Sequence, residues 1–355
     1  MDGVDAALVR FGDHTLDVIA THQHDYPGPL RHALVAARSL PDLRHCEQVP
    51  DLHRLVGQCF RDAALAVLAS AGVDAASVRA IGSHGQTLRH APDAEEPFSL
   101  QIGDPDLIAA GTGVPTIADF RRADIEHGGQ GAPLAPAFHE WLFRRAGTTR
   151  VVLNIGGIAN ITVLFGDDQP TIGFDTGPGN TLLDAWISEQ GIAGFDSGGD
   201  WGAAGNVIDD LLQRLLADPY FQAPAPKSTG FEYFNLDWLA PALMDTHDAT
   251  DIQSTLCQLT AQTAADAIRA AAPDASSVLV CGGGVHNNDL VARLGAALQG
   301  MDVGSTAAAG LDPDWVEAVA FAWLAMRTSE GLPGNLPSVT GAAEHTVLGT
   351  RHPAG

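Results

Sequence analysis

The sequence predicts an α/β protein of two domains, and three observations lead there. Short apolar strands alternate with longer helices along the whole chain, the order of an α/β architecture. Glycine turns repeatedly close the strands: Gly82…Gly85, Gly156-Gly157, Gly177-Pro178-Gly179 and Gly282-Gly283-Gly284. The length of 355 residues, with 45% hydrophobic content, supplies core for about two domains of ~150 residues each.

Residues 4–10 and 15–21 read as two strands around the turn Gly12-Asp13. A long helix follows, because Leu52, Leu55, Val56, Cys59, Phe60, Ala63, Ala64, Val67 and Leu68 repeat at helical spacing on one face. "VRAIGSHGQTLRH" begins as a strand and ends as a polar loop. "SLQIG" and "PTIADF" are strands with the short helix "DPDLIAAGTG" between them. Gly128–Gly131 reads as a flexible joint, which places a first domain at 1–130, with 331–355 packing back on it, and a second at 131–330. Beyond the joint come the helix "APLAPAFHEWLFRRAG", the strand–turn–strand "VVLNIGGIANITVLF" and the strand-to-turn "TIGFDTGPGN". A helix over 251–271 and the buried strand of "SVLVCGGGVHNNDLVARLGAAL" follow. In "LDPDWVEAVAFAWLAM" the pattern predicts a helix with Asp312 as N-cap and Pro313 at its first position.

Charge narrows the function classes. Nineteen basic against 43 acidic side chains give a net charge of −24. Such a surface repels nucleic acid and anionic membrane. Cys46, Cys59, Cys257 and Cys281 show no CxxC spacing, so reduced thiols rather than a disulfide frame or zinc site are expected. No stretch approaches the ~18 apolar residues of a membrane span, and a cytoplasmic protein is expected. His22 and His24 share a strand face, but nothing else pairs with them as a metal site.

Several stretches carry chemistry. Strand-end glycines let an anion approach backbone N–H groups, and α/β proteins bind ligands beyond the carboxyl ends of their strands. No GxxxxGK[ST] occurs, and no GxGxxG follows a first strand. In "FDTGPGN", Asp175 follows Ile172 and Phe174. A carboxylate at the mouth of an apolar strand is partly desolvated, which raises its pKa and its basicity; alternatively it caps the next turn. Asn180 and Asp184, four residues apart, share a helix face and either fix a sugar hydroxyl or cap the helix. Glu317 stands on a face with Phe321, Leu324 and Ala325. It either meets a partner or ligand, or packs its stem and keeps its head in water. "ADFRRADIEHGGQG" concentrates Asp119, Arg121, Arg122 and Asp124: an anion site or a local ion-pair network. Lys227 in "PKSTG" is the nearest other cation in a glycine loop.

Taken together, "IGSHGQTLRH", "SLQIGDPDLIA", "VPTIADFRRADIEHGGQGAPLAP", "LNIGGIANIT", "GFDTGPGNTLLDAW", "KSTGFEYFNLDWL", "VCGGGVHNNDL", "DPDWVEAVAFAWLA" and "NLPSVTGA" resemble the anhydro-N-acetylmuramic acid kinase family. The match runs in order from Asp2 to about residue 349. The resemblance implies two RNase H-like domains of the actin, hexokinase and Hsp70 superfamily flanking an ATP cleft. It implies a kinase of cell-wall (peptidoglycan) recycling that opens 1,6-anhydro-N-acetylmuramic acid and phosphorylates O6, with ATP and Mg²⁺. Asp175 matches the general base. Glu317, Arg121, Asp119, Gln86, His84, Asn180 and Asp184 fall to the sugar. Asn154, Gly156, Gly157, Gly177, Gly179, Gly282, Gly283 and Gly284 fall to the nucleotide, and Asp2 to the magnesium shell. The partners implied are the anhydrosugar and ATP, with a homodimer as the assembly.

Two departures stand out. Family members open with a strand and a Ser-Gly-Thr-Ser turn before Asp-Gly-Val-Asp. Here Met1 directly precedes Asp2-Gly3-Val4-Asp5, so that strand is expected to be missing. Phe231 stands where the resemblance expects an arginine. Beside the active kinase, an N-terminally truncated, catalytically weak sugar- or nucleotide-binding member therefore stays open. An ATP-driven assembly protein is a third reading, weakened by the FDTGPGN stretch.

Overall fold

A computed structural model of the chain describes residues 3–38, 40, 43 and 48–355. The chain divides into two compact units, Met1–Leu142 with Glu317–Gly355, and Phe143–Val316.

The first unit opens with an antiparallel hairpin, β1 (Gly3–Phe11) and β2 (Leu16–Asp25), whose register slips between Leu8 and Val9. Helices α1 (Gly28–Arg38) and α2 (Val49–Ala71) follow. Pro50 sits in the first turn of α2, and Gly72 closes the helix in the left-handed conformation at φ 63°. The spacing read from the sequence holds: Leu52, Val56, Cys59, Ala63, Val67 and Leu68 are buried. Strands β3 (Ile81–Gly82), β4 (Gln86–Ala91) and β5 (Phe98–Ile102) come next, then α3 (Pro105–Thr112), β6 (Thr116–Ala118) and α4 (Arg122–Glu126). Asp104 caps α3, accepting from the N–H groups of Asp106 and Leu107. β4 pairs with β5, while β6 lies between β3 and β12 (Thr350–His352). A groove of about 990 Å³ runs along β1 and β3, walled by α2 and the later helix α13 (Val316–Ser329); Val4, Phe60, Val67, Ile81, Phe321 and Met326 line it.

The first unit runs past residue 130 to Leu142, taking in all of α5 (Ala135–Phe143) but its last residue, and resumes at Glu317 rather than at 331. The rings of Phe138 and Trp141 each lie 6.1 Å from that of Trp323 on α13. The glycine stretch is also not a loose joint. Asp124, fully buried, accepts from the Gly131 N–H at 2.8 Å, Asn335 Nδ2 at 2.7 Å and Thr340 Oγ1 at 2.7 Å. The Gln130 N–H donates to the Thr340 carbonyl at 2.8 Å. A charge buried this deeply must be bonded, and these donors tie residues 129–131 to the short helix α14 (Pro337–Thr340). Asp312 does not cap α13, which begins four residues later at Val316; its carboxylate accepts instead from the Asp314 N–H at 3.0 Å and closes a separate turn.

The second unit is built on five strands in the order β11 (Asp302–Ser305), β10 (Ser277–Cys281), β7 (Arg150–Ile155), β8 (Ile158–Leu164) and β9 (Ile172–Pro178). β7, β8 and β9 form an antiparallel meander, and β10 and β11 add in parallel beyond β7. This is the sheet of an RNase H-like domain. Central β7 is buried at Val151, Val152, Leu153 and Ile155, as a strand covered on both faces must be. Helix α6 (Thr181–Glu189) leaves the end of β9. Shorter helices follow: α7 (Asp200–Ala203), α8 (Asp209–Leu216), α9 (Pro219–Gln222) and α10 (Leu236–Leu239). Helix α11 (Ala249–Ala271) crosses the core, burying Ile252, Leu256, Leu259 and Ile268, and α12 (Asn288–Ala297) packs beside it. Among the described residues no helix is long and apolar enough to cross a membrane.

Asp124→Ala strands three buried donors at once. Its expected cost is about 3–5 kcal/mol, read as a lowered denaturation midpoint of the full chain.

Candidate functional site

Asp175 lies midway along β9 rather than at its mouth, and β9 is an edge strand of the five-stranded sheet. Its neighbour Phe174 is buried, and Asp175 itself is partly buried. Burial pushes its pKa up to about 6, against the opposing pull of a hydrogen bond from the Thr229 N–H. That bond, 3.0 Å to Oδ2, comes from a distant loop, so the carboxylate does not cap its own following turn. No described protein group donates to Oδ1. One oxygen is fixed and the other is free to take a proton, the arrangement of a general base.

Three glycine turns meet beside the ends of β7, β9 and β10. The N–H groups of Gly179 and Thr181 donate to the Gly157 carbonyl at 2.9 and 3.0 Å, and that of Asn180 to the Gly156 carbonyl at 2.8 Å. These glycines fall into two groups. Some answer to the protein: a Cβ on Gly179 would strike the Gly156 carbonyl oxygen, and one on Gly284 the Ile155 side chain. Gly177 and Gly282 have φ values of 149° and 78°, which L side chains rarely adopt. The others answer to nothing in the chain. The nearest atoms to a Cβ on Gly156, Gly157 or Gly283 are 3.7, 4.0 and 3.7 Å away, and none of the three has positive φ. A bare backbone with space above it is what a phosphate needs to approach N–H groups closely. Asn154 sits beneath this surface, with its Oδ1 3.8 Å from Cys281 Sγ.

The first unit gathers a different set. Arg121 donates through Nη1 to the Gly131 carbonyl and through Nη2 to His84 Nε2, both at 2.8 Å. Arginine has no acceptor, so His84 accepts at Nε2 and its ring is neutral. Burial, and then the Arg121 charge, hold the His84 pKa well below its usual value. The His84 ring stacks on Phe321 at 4.3 Å. Arg121 Nε is buried without a partner. Glu317 is exposed to solvent in the groove at the start of α13, so its head does reach water. Enough protein surrounds it that desolvation still raises its pKa; Arg121 opposes this and Asp5 reinforces it. Arg121, His84 and Glu317 thus form one electrostatic cluster of a guanidinium, a neutral imidazole and a carboxylate.

Other expected residues stand apart from it. Asp119, at a strained φ of 59°, ion-pairs with Arg122 at 2.5 Å rather than with Arg121. Gln86 lines the groove and accepts from the Tyr26 hydroxyl at 3.4 Å. Asn180 precedes α6 without a side-chain cap; its Nδ2 donates to the Ile155 carbonyl at 3.4 Å. Asp184 lies one turn along, its N–H bonded to the Asn180 carbonyl. Lys227 spends its ammonium on the carbonyls of Tyr220 and Phe221, at 2.9 and 3.4 Å, instead of on an anion. Asp2 lies outside the described residues. Thr229 and Tyr220, which grip Asp175, escaped the sequence reading because they act through a backbone N–H and on a backbone carbonyl.

Comparison with known proteins supplies the wider setting. The profile of the family described as anhydro-N-acetylmuramic acid kinase matches residues 1–354. The anhydro-N-acetylmuramic acid kinase of Coxiella burnetii is 51% identical over 354 residues, covering 98% of this chain and 94% of that protein. The protein of the same name from Shewanella sp. (strain MR-4) is 50% identical over 356 residues, covering 100% of this chain and 96% of that one. Among solved structures, the activator of the 2-hydroxyisocaproyl-CoA dehydratase from Clostridium difficile with bound ADPNP superposes with a TM-score of 0.44 at 10% identity, covering 88% of each chain.

Asp175 has a stability signature. A carboxyl group raised from 3.8 to about 6 on folding opposes folding wherever it is ionised in the unfolded chain. Asp175→Asn should therefore stabilise the protein at pH 8 by at most ~3 kcal/mol. The gain should shrink as pH falls through 6 and vanish below about 4; thermal melts across that range read it.

Proposed function

Because the chain belongs to the anhydro-N-acetylmuramic acid kinase family, we propose that it hydrolyses the internal ether of 1,6-anhydro-N-acetylmuramic acid and phosphorylates O6 from ATP, with Asp175 as general base. The observation that carries the assignment is Asp175 itself: poised near neutrality, pinned at Oδ2 by Thr229 and open at Oδ1. Asp175 takes a proton from water as that water's oxygen bonds to C1. The C1–O6 bond breaks, and its electron pair stays on O6. O6 bonds to the γ-phosphorus as the bond to the departing ADP breaks. The proton on Asp175 then passes to solvent. Ring opening thus creates the nucleophile where it is used, and positioning does most of the work.

The bare backbone at Gly156, Gly157 and Gly283 fits the nucleotide's phosphates. Gly177, Gly179, Gly282 and Gly284 shape that surface from beneath. Magnesium would ride on phosphate oxygens with at most one or two carboxylates and several waters; among the described residues no three His, Cys, Asp or Glu side chains gather as a cage. In the first unit, Arg121 offers a buried cation to the lactyl carboxylate, and Glu317 offers an acceptor to sugar hydroxyls. His84, held neutral, orients Arg121 without adding charge.

Two tests follow. Asp175→Asn should reduce turnover at least a thousandfold, roughly the upper range of general-base effects, while calorimetry still detects sugar binding; an active Asn variant defeats the assignment. In the unmodified protein kcat should fall as pH drops below about 6, where Asp175 becomes protonated. The second test separates the glycines. Gly157→Ala should keep the melting temperature and raise the KM for ATP about tenfold or more, whereas Gly179→Ala should lower the melting temperature directly. Equal nucleotide KM values for Gly157→Ala and the unmodified protein would remove the phosphate surface.

A further inference from the structure

We propose that the segment from Pro219 to Thr229 is a positioning strap for Asp175, fastened by Tyr220 and Lys227. The proposal rests on the reading of Asp175 as base and extends it to the residues that aim it. β9 is an edge strand, so its outer backbone groups need partners from outside the sheet. The strap provides them at Asp175 itself. The Asp175 N–H donates to the Lys227 carbonyl at 3.1 Å, and the Tyr220 hydroxyl donates to the Asp175 carbonyl at 2.8 Å. The Thr229 N–H reaches Oδ2. Three atoms of one residue are thus held by one eleven-residue segment (Pro219–Thr229).

The strap is itself tied down. Lys227 Nζ bonds the Tyr220 and Phe221 carbonyls and lies 4.6 Å from the centre of the Tyr220 ring, closing the segment on itself. Asp218 anchors its start, accepting from the Tyr220 N–H, the Tyr233 hydroxyl and Trp238 Nε1 at 2.8, 2.9 and 2.8 Å. Phe221 presses on Gly177, two residues beyond Asp175. The titratable groups facing Asp175 from the strap are Tyr220 and Lys227. On β8 Asn160 stands opposite Asp175, and from α11 Thr260 meets the Pro178 carbonyl and Thr263 lies beside Gly177; none of the three is charged. Lys227 therefore acts on the carboxylate through the strap's shape, as a positioning residue.

A mere cover for a sheet edge would affect folding alone, whereas a positioning strap also sets how readily Asp175 ionises. The test measures kcat and KM against pH, with thermal melts, for Tyr220→Phe, Lys227→Met and Lys227→Arg. For Tyr220→Phe and Lys227→Met, kcat per folded molecule should fall about tenfold or more with the sugar KM within about threefold. The acid limb of kcat should move upward from about 6, because a loosened Thr229 N–H no longer favours the ionised form. Lys227→Arg, which keeps a cationic donor, should recover most of the rate. An unmoved limb with unchanged kcat per folded molecule overturns the proposal, as does an Arg variant no better than Met. If Lys227→Met does not fold, Tyr220→Phe, lacking one oxygen atom, decides. An active Asp175→Asn would instead remove the general-base reading, so the two failures are distinguishable.

Discussion

A partly buried carboxylate at the edge of a sheet, Asp175, is the constraint on which the second unit turns. Ionised Asp175 is costly there, since the sheet and α11 replace solvent with apolar surface. The fold meets that cost only in part. Among the described residues a single N–H donation reaches the carboxylate, enough to fix its direction and too little to restore an ordinary acidity. Raised basicity and cost on folding therefore have one origin: the desolvation that raises the pKa of the group also opposes burying it.

Asp124 in the first unit shows the opposite solution. It is more deeply buried than Asp175, yet it receives three close donors from two separate segments. Both its oxygens are occupied, one by Gly131 and the other by Asn335 and Thr340. Saturation makes it a lock for the chain around residues 129–131. The number of donors, rather than depth of burial, separates the saturated Asp124 from the proposed base Asp175.

That distinction marks how far the sequence was legible. The strand, the apolar flank and the glycine turn around Asp175 are contiguous, so its raised pKa could be read from seven letters. The amphipathic face of α2 was legible for the same local reason. Donor counts are not local. Asp124 depends on residues 211 and 216 positions away, and Tyr220 lies 45 positions from the carbonyl it binds. Arg121 and His84, read as separate candidates, meet across 37 positions. Gly128–Gly131 looked like a joint because glycine composition suggests mobility; the nearby Asp124, itself fixed by the distant Asn335 and Thr340, holds it instead. Asp312 followed a sound capping rule and still missed, because Pro313 begins a turn that ends before α13 starts.

The glycines carry the same lesson to the level of single atoms. The family resemblance implied a nucleotide role for seven strand-end glycines alike, since any of them lets an anion approach. Placing a Cβ on each divides them by cause: Gly179 and Gly284 admit neighbouring protein, and Gly177 and Gly282 carry unusual backbone angles. After those demands are met, Gly156, Gly157 and Gly283 keep open space and ordinary backbone. Substitution at any of these three positions meets no steric objection from the protein's own atoms. The only objection left is from whatever lies above the backbone, which is why the proposed phosphate surface rests on these three out of the seven.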